Sequence, residues 1–250
     1  MSGTISTSNS LARLRREVAI TSRILVMEGM LDYSGHVSVR IPGQDAYYIQ
    51  PSTDPRSHID PDRLIMVDFE GNILGDHDRK PPIEIPIHGE IYKARPDVNS
   101  LVHCHMELAI MFTMMDDVQL VPMRSRAARW SSGIPTSNDP THIKSKEQGK
   151  ILANDLGPHH AALMRAHGLV LVAESVPALL VDAVHFDENA RAQMQVLQAG
   201  RKLKPLTPEE LDLLEKSEMR EFHVGKLWKY YLNKAEKMGI IPPEWAEETI

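Results

Sequence analysis

Only one of the 250 residues is a cysteine, Cys104, so no internal disulfide can form and a reducing compartment is expected. The first ten residues are polar and rich in Ser and Thr, without the charged and apolar segments of a secretory signal. Both features lead to the expectation of a cytoplasmic protein. No apolar run approaches the roughly 20 residues needed to span a bilayer, which excludes a transmembrane helix and a membrane partner. Basic charge is also short: 28 Lys and Arg stand against 34 Asp and Glu, a net charge of -6, and they are scattered rather than gathered into a stripe. Nucleic acid is therefore excluded as a partner. No internal repeat is visible. What remains is 42% hydrophobic content, enough for a full core, and 12 histidines, which direct attention to metal-ligand spacings.

Periodicity supplies the outline. Residues 1–10 read as a disordered start, and residues 12–30 place Leu14, Val18, Ile20, Ile24, Leu25 and Met27 at helical spacing. Alternating stretches then follow at His36-Val-Ser-Val-Arg40, Ala46-Tyr-Tyr-Ile-Gln50 and Leu64-Ile-Met-Val-Asp68, with Glu70-Gly-Asn72 turning into a fourth strand near Ile73. Pro81 and Pro82 set up a helix start that places Glu84 in the first turn and Ile83, Ile87 and Ile91 on one face; Pro96 ends it. Strands are expected at residues 101–105, 120–123 and around Gly168, helices at 107–115, 145–154 and 176–197, and a charged helical tail over 207–237. Because strands and helices do not follow a strict beta-alpha-beta rhythm, a mainly antiparallel sheet layered with helices is expected.

The strongest chemical signal is His103-Cys-His105. Residues two apart on a strand point the same way, so both imidazoles can meet one ion while Cys104 faces the core. His167, next to Gly168 at the start of an apolar strand, is the candidate third ligand, and three histidines would leave coordination positions open for chemistry. Taken singly, such histidines serve equally well as hydrogen-bonded core or surface residues. Glu84 sits where free helix amides favour an anion, and a plain helix-terminal carboxylate would look the same. His88, one turn later, either aims into the same site or packs against the sheet. The run Arg124, Arg126 and Arg129 suits carboxylates through its guanidinium forks or forms an ion-pair patch, and His159-His160 marks a turn. Trp228, Tyr230 and Tyr231 suit packing of a terminal helix.

In order along the chain, Gly35-His-Val-Ser-Val-Arg40, Ile49-Gln-Pro-Ser52, Glu84-Ile-Pro-Ile-His-Gly-Glu-Ile-Tyr-Lys-Ala-Arg-Pro-Asp97, His103-Cys-His105 and His167-Gly168 resemble the class II aldolase/adducin family. The resemblance implies a three-layer α/β/α fold around a mainly antiparallel sheet, a cyclic homotetramer, and active sites between neighbouring subunits. It implies a catalytic unit over residues 11–200 and a helical tail over 201–250. It also implies that His103, His105 and His167 hold one divalent metal ion and that Glu84 is the catalytic carboxylate. Nitrogen-only ligation makes zinc the first expectation, with manganese, iron or cobalt as alternatives.

Sugar-phosphate members of the family hold phosphate with a Gly-Asn turn, a Ser-Gly pair and a Ser-Ser pair. The matching places here are Gly35-His36, Ser52-Thr53 and Pro82-Ile83. Proline lacks an amide proton and isoleucine a hydroxyl, so two phosphate donors are gone. The signatures are instead similar to the decarboxylase branch, whose substrates are hydroxylated aromatic dicarboxylates. What the resemblance implies is decarboxylation of such an acid, with 3,4-dihydroxyphthalate giving protocatechuate as the favoured case. His36, Ser52 and His88 would contact substrate, an arginine among Arg124 and Arg126 would hold a second carboxylate, and Tyr230 would cover a neighbour's site. An aldolase acting on an unphosphorylated hydroxy acid or aldehyde needs the same ion and is the alternative. A metal-free interaction module of the adducin type is the third reading, against which the intact His103, His105, His167 and Glu84 argue.

Overall fold

Along the strand Gly168–Ala173, Leu169 and Leu171 pack to one side and Val170 and Val172 to the other, all fully buried. A strand buried on both faces needs helices on both faces. The computed structural model describes residues 2–75 and 78–247; the parts of the expected start and tail at residues 1 and 248–250 lie outside the described residues.

The elements run α1 (Ser2–Met27), β1 (His36–Arg40), β2 (Ala46–Ile49), β3 (Ile65–Asp68), β4 (Ile73–Leu74), α2 (Ile85–Ala94), β5 (Ser100–Cys104), α3 (Glu107–Met111), β6 (Thr136–Ser137), α4 (Lys146–Leu156), β7 (Ala161–Met164), β8 (Gly168–Ala173), α5 (Val176–Gln198), α6 (Pro208–Ser217), α7 (Arg220–Lys237) and α8 (Pro243–Glu247). Among the described residues one sheet of eight strands forms in the order β4-β3-β2-β1-β5-β8-β7-β6. All its pairings are antiparallel except β6 with β7. Helices α1, α3, α5 and α7 share one core with Val37, Val39 and Val102, while α2 and α4 share the other with Tyr47, Ile49 and Leu101. This is the expected three-layer α/β/α arrangement. No helix among the described residues is long and apolar enough to cross a membrane.

Local chemistry accounts for the ends. Helix α4 starts on a capping box in which the Ser145 hydroxyl accepts the Gln148 amide and the Gln148 side chain returns to the Ser145 amide. Thr207 and Glu210 do the same for α6. The β3–β4 turn closes through Gly71, whose φ of 91° lies in the left-handed region that glycine enters freely.

Several details differ from the sequence reading. The polar start is helical from Ser2 rather than disordered, and no proline interrupts residues 2–27. Ile83 is 67% exposed: α2 begins only at Ile85, so Ile83 never joins the face of Ile87 and Ile91. Residues 120–123 form no strand. Their polar groups are met instead by side-chain amides of α5: Asn189 accepts the Met123 amide and donates to the Val121 carbonyl, and Gln193 accepts the Val121 amide and donates to the Gln119 carbonyl. Both amides are fully buried, and they replace a strand partner bond for bond. The single strand expected around Gly168 is a hairpin of β7 and β8, turned through Ala166 at φ 53°.

Candidate metal centre

β5 lies between β1 and β8, and its register sets His103 opposite His36 on one side and Val170 on the other. His103 is fully buried and donates its Nδ1–H to the Leu169 carbonyl at 3.0 Å. His105 follows directly after the strand and donates its Nδ1–H to Asp32 Oδ2 at 3.0 Å. With Nδ1 committed in both rings, Nε2 is the nitrogen left with a lone pair. His167 sits in the β7–β8 turn, its amide on the Met164 carbonyl at 3.1 Å. Its ring stacks on His105 at 5.6 Å between centroids and meets His103 edge-on at 5.2 Å.

Gly168 makes this approach possible. A Cβ there would lie 2.8 Å from the Cys104 carbonyl oxygen and 2.9 Å from both His103 Cε1 and His105 Cδ2, so any side chain would push the ligand rings apart.

Glu84, immediately before α2, is buried. Its Oε1 accepts the Ile143 amide at 3.0 Å and lies 3.4 Å from His167 Nε2; its Oε2 lies 3.3 Å from His103 Nε2. Burial pushes the carboxyl up, but the His103 ring beside it, the Ile143 amide and the charge of His167 outweigh this and bring it down to about 2. Glu84 is therefore an anion. Burial and then the neighbouring His103 lower His167 to about 4, so this ring is neutral and able to ligate at neutral pH.

One nitrogen of each of His103, His105 and His167 lies within 4.8 Å of the others. Buried and without a hydrogen-bond partner among the described residues are His103 Nε2 and both nitrogens of His167. Buried polar atoms are normally satisfied, and an imidazole nitrogen left bare beside two others is satisfied by a cation. The donor set thus fits a divalent ion. Two further groups meet the same distance test, His36 with Glu84 and His103, and Glu84 with His142 and His167.

The other expected residues divide. His36 lies beside the cluster, its ring 5.1 Å from that of His103. His88 is fully buried and bonds to His36 and Ser38 rather than opening toward a substrate. Ser52 is exposed, with its amide on the Lys80 carbonyl at 2.9 Å. Arg124 is taken by Glu188 of α5 at 3.2 Å, and Arg126 lines a separate cavity of about 410 Å³ with His160, Asp182, His185 and Arg220. Tyr230 is 60% exposed on α7, its ring edge-on to Tyr231. Among the described residues no hydrogen bond, ion pair or ring contact joins Arg124, Arg126 or Tyr230 to the cluster.

Two participants carry no sequence signal. His142, exposed on the loop before α4, brings Nδ1 to 3.5 Å from Glu84 Oε1 and its ring to 5.2 Å from His167. Asp32, which orients His105, is held by its own turn, where Oδ1 accepts the amides of Ser34 and Gly35 at 2.9 Å.

The family described as Class II Aldolase and Adducin N-terminal domain matches residues 16–194. The chain is 25% identical over 237 residues to 3,4-dihydroxyphthalate decarboxylase of Arthrobacter keyseri, covering 88% of this chain and 93% of that relative. It is 30% identical over 181 residues to Decarboxylase NovR of Streptomyces niveus, covering 71% of this chain and 64% of that relative. Among solved structures, L-fuculose 1-phosphate aldolase from Glaciozyma antarctica PI12 superposes with a TM-score of 0.79 at 18% identity, covering 92% of this chain and 93% of that one. An aldolase II superfamily protein from Pseudomonas syringae gives 0.77 at 21% identity, covering 92% and 94%. These two likenesses bear on the fold alone.

Proposed function

Because this chain belongs to the class II aldolase and adducin family, on its decarboxylase-like branch, we propose that it is a metal-dependent decarboxylase of a hydroxylated aromatic dicarboxylate, with 3,4-dihydroxyphthalate as the favoured substrate. The observation that carries this reading is the meeting of three imidazoles, with bare buried nitrogens on His103 and His167, and the ionised Glu84. A divalent ion held by His103, His105 and His167, zinc first and manganese, iron or cobalt otherwise, would supply a Lewis acid for a phenolic oxygen beside the departing carboxylate.

The protein's own work is then proton handling and exclusion of water. Glu84, as an anion anchored by the Ile143 amide, accepts the phenolic proton and returns it to the ring carbon that bears the carboxylate. The bond from that carbon to the carboxylate breaks, its electron pair restores the aromatic ring, carbon dioxide leaves, and solvent supplies the one proton consumed overall. The buried setting of Glu84 and His103 keeps both groups from being screened by water. Pro82 without an amide proton and the exposed apolar Ile83 stand where phosphate-binding relatives carry donors, which supports an unphosphorylated substrate.

The reading includes a cytoplasmic homotetramer with a catalytic unit over residues 11–200 and a helical tail over 201–250. Arg124, Arg126 and Tyr230 would then serve a neighbour's site. The test is incubation of metal-analysed protein with 3,4-dihydroxyphthalate and related hydroxylated dicarboxylates, following carbon dioxide with and without chelator. Chelator-sensitive release supports the proposal. No release from metal-replete protein overturns it in favour of an aldolase acting on an unphosphorylated substrate.

A further inference from the structure

Four buried groups form a continuous hydrogen-bonded chain leading away from the cluster. His36 Nδ1 lies 2.7 Å from His88 Nε2, His88 Nδ1 lies 2.6 Å from Ser38 Oγ, and Ser38 Oγ lies 2.7 Å from the Tyr92 hydroxyl. The geometry follows from two periodicities: His36 and Ser38 share a face of β1, and His88 and Tyr92 lie one turn apart on α2. All four side chains are at most 1% exposed. The backbone around His36 is fixed as well, since Gln50 accepts the Val37 amide and donates to the Gly35 carbonyl, which Arg56 also contacts at 2.8 Å.

The chain has a direction, and counting hydrogens reveals it. Both rings are buried and neither bonds a carboxylate among the described residues, and across the 2.7 Å link one nitrogen must keep its lone pair, so the two rings stay neutral. Neutral rings carry one N–H each, so with the two hydroxyls there are four hydrogens for three links. If the links run from Tyr92 toward His36, Tyr92 donates to Ser38, Ser38 to His88 Nδ1, and His88 Nε2–H to His36 Nδ1. The spare hydrogen is then His36 Nε2–H. If they run the other way, or meet at Ser38, a hydroxyl hydrogen is left buried without an acceptor. Among the described residues the Tyr92 hydroxyl has no second hydrogen-bond partner, and the nearby Arg40 guanidinium, 4.9 Å above its ring, only donates. The spare His36 N–H lies beside Glu84 and His103, where a ligand can accept it, whereas a spare hydroxyl hydrogen on Ser38 or Tyr92 would stay enclosed without an acceptor, and that difference favours the first direction.

We infer that this chain fixes His36 as an Nε2–H donor to an anionic oxygen of the substrate, with His88, Ser38 and Tyr92 as positioning residues. That oxygen is a carboxylate if the decarboxylase reading, on which this last assignment rests, is right. A ring protonated at Nε2 with Nδ1 engaged has no lone pair for an ion, so the group of His36, Glu84 and His103 is not the ligand set. His36 Nε2 has no partner among the described residues, as a donor reserved for substrate requires.

The test is magic-angle-spinning NMR of zinc-loaded protein labelled with 15N-histidine, reading which nitrogen of each ring is protonated. His36 and His88 are expected as Nε2–H forms. Protonation of His36 at Nδ1, or an imidazolium there, overturns the inference. Ser38→Ala removes the donor to His88 and should mix the two forms of both rings and raise KM for the aromatic dicarboxylate more than it lowers kcat; Ser38→Thr should restore both. Unchanged protonation in Ser38→Ala also overturns it. The protonation readout needs no turnover, so absence of carbon dioxide release would sink the decarboxylase reading while leaving this result standing, and the reverse.

Discussion

Asp32 Oδ2 accepts the Nδ1–H of His105 at 3.0 Å while its Oδ1 closes a turn on the amides of Ser34 and Gly35. One carboxylate thus both shapes the loop and selects which nitrogen of His105 remains bare. In Asp32→Asn the amide oxygen can keep the turn, but the NH2 group then faces His105 Nδ1 and drives the proton to Nε2. Metal affinity should fall by roughly 10- to 100-fold with the melting temperature nearly unchanged. Chelator competition measures this, and unaltered affinity would remove Asp32 from the site.

Gly168→Ala tests the close packing of the ligand rings. The added methyl would meet the Cys104 carbonyl at 2.8 Å and both His103 and His105 at 2.9 Å, and the backbone contact cannot move aside as a flexible side chain would. A loss of about 1–3 kcal/mol in urea unfolding is expected, together with loss of bound metal. Full metal content in a folded Gly168→Ala protein would show that the three rings do not share an ion.

Glu84→Gln separates chemistry from structure. The amide oxygen can still accept the Ile143 amide at the position now 3.0 Å away, so fold and metal should survive while the charge and the exchangeable proton are lost. Turnover is expected to drop by about 10²- to 10⁴-fold. His103→Ala should do the opposite and empty the site of metal. Elemental analysis beside the carbon dioxide assay resolves the two, and a fully active Glu84→Gln protein would rule out Glu84 as the proton carrier.

The parts of this site legible in the sequence are those that local periodicity controls. His103 and His105 project together because of strand alternation, and His167 stands out beside Gly168, where the Cβ distances show how closely the rings approach. The missed parts depend on contacts between distant segments. His142 reaches Glu84 across 58 positions from a loop with no periodic pattern, and the direction of the His36 to Tyr92 chain exists only once α2 lies on β1. The strand expected at residues 120–123 failed for a related reason. Its apolar run was real, but buried Asn189 and Gln193 of α5 look from sequence like ordinary polar residues on a helix.

That segment provides its own test. Asn189→Leu removes an acceptor for the Met123 amide and a donor for the Val121 carbonyl, leaving two backbone groups unpaired next to a packed helix. Destabilisation of about 2–4 kcal/mol is expected, since each orphaned buried group costs roughly 1–3 kcal/mol and partial solvation recovers some of it. Amide exchange should accelerate first at Met123. A stability change below 1 kcal/mol in urea unfolding would mean that water replaces the side chain at little cost.

Part of the acid sensitivity should come from the cavity that Arg126 lines. Burial, then Arg126 and Arg124, hold His185 down to about 4; burial, then Arg129 and Arg95, hold His160 to about 4. In the unfolded chain both titrate near 6.5. Between these values the unfolded state takes up protons that the folded state refuses, so the stability contribution is complete above pH 6.5 and is lost as pH falls toward 4. Its size is on the order of 1 kcal/mol for the pair, allowing for the partial exposure of His160 to solvent. Urea midpoints measured from pH 7 to 4 should therefore decline, and the decline should flatten in the His160→Gln, His185→Gln double variant even if its stability at pH 7 is lower. An equally steep decline in that variant would assign the acid sensitivity to other groups.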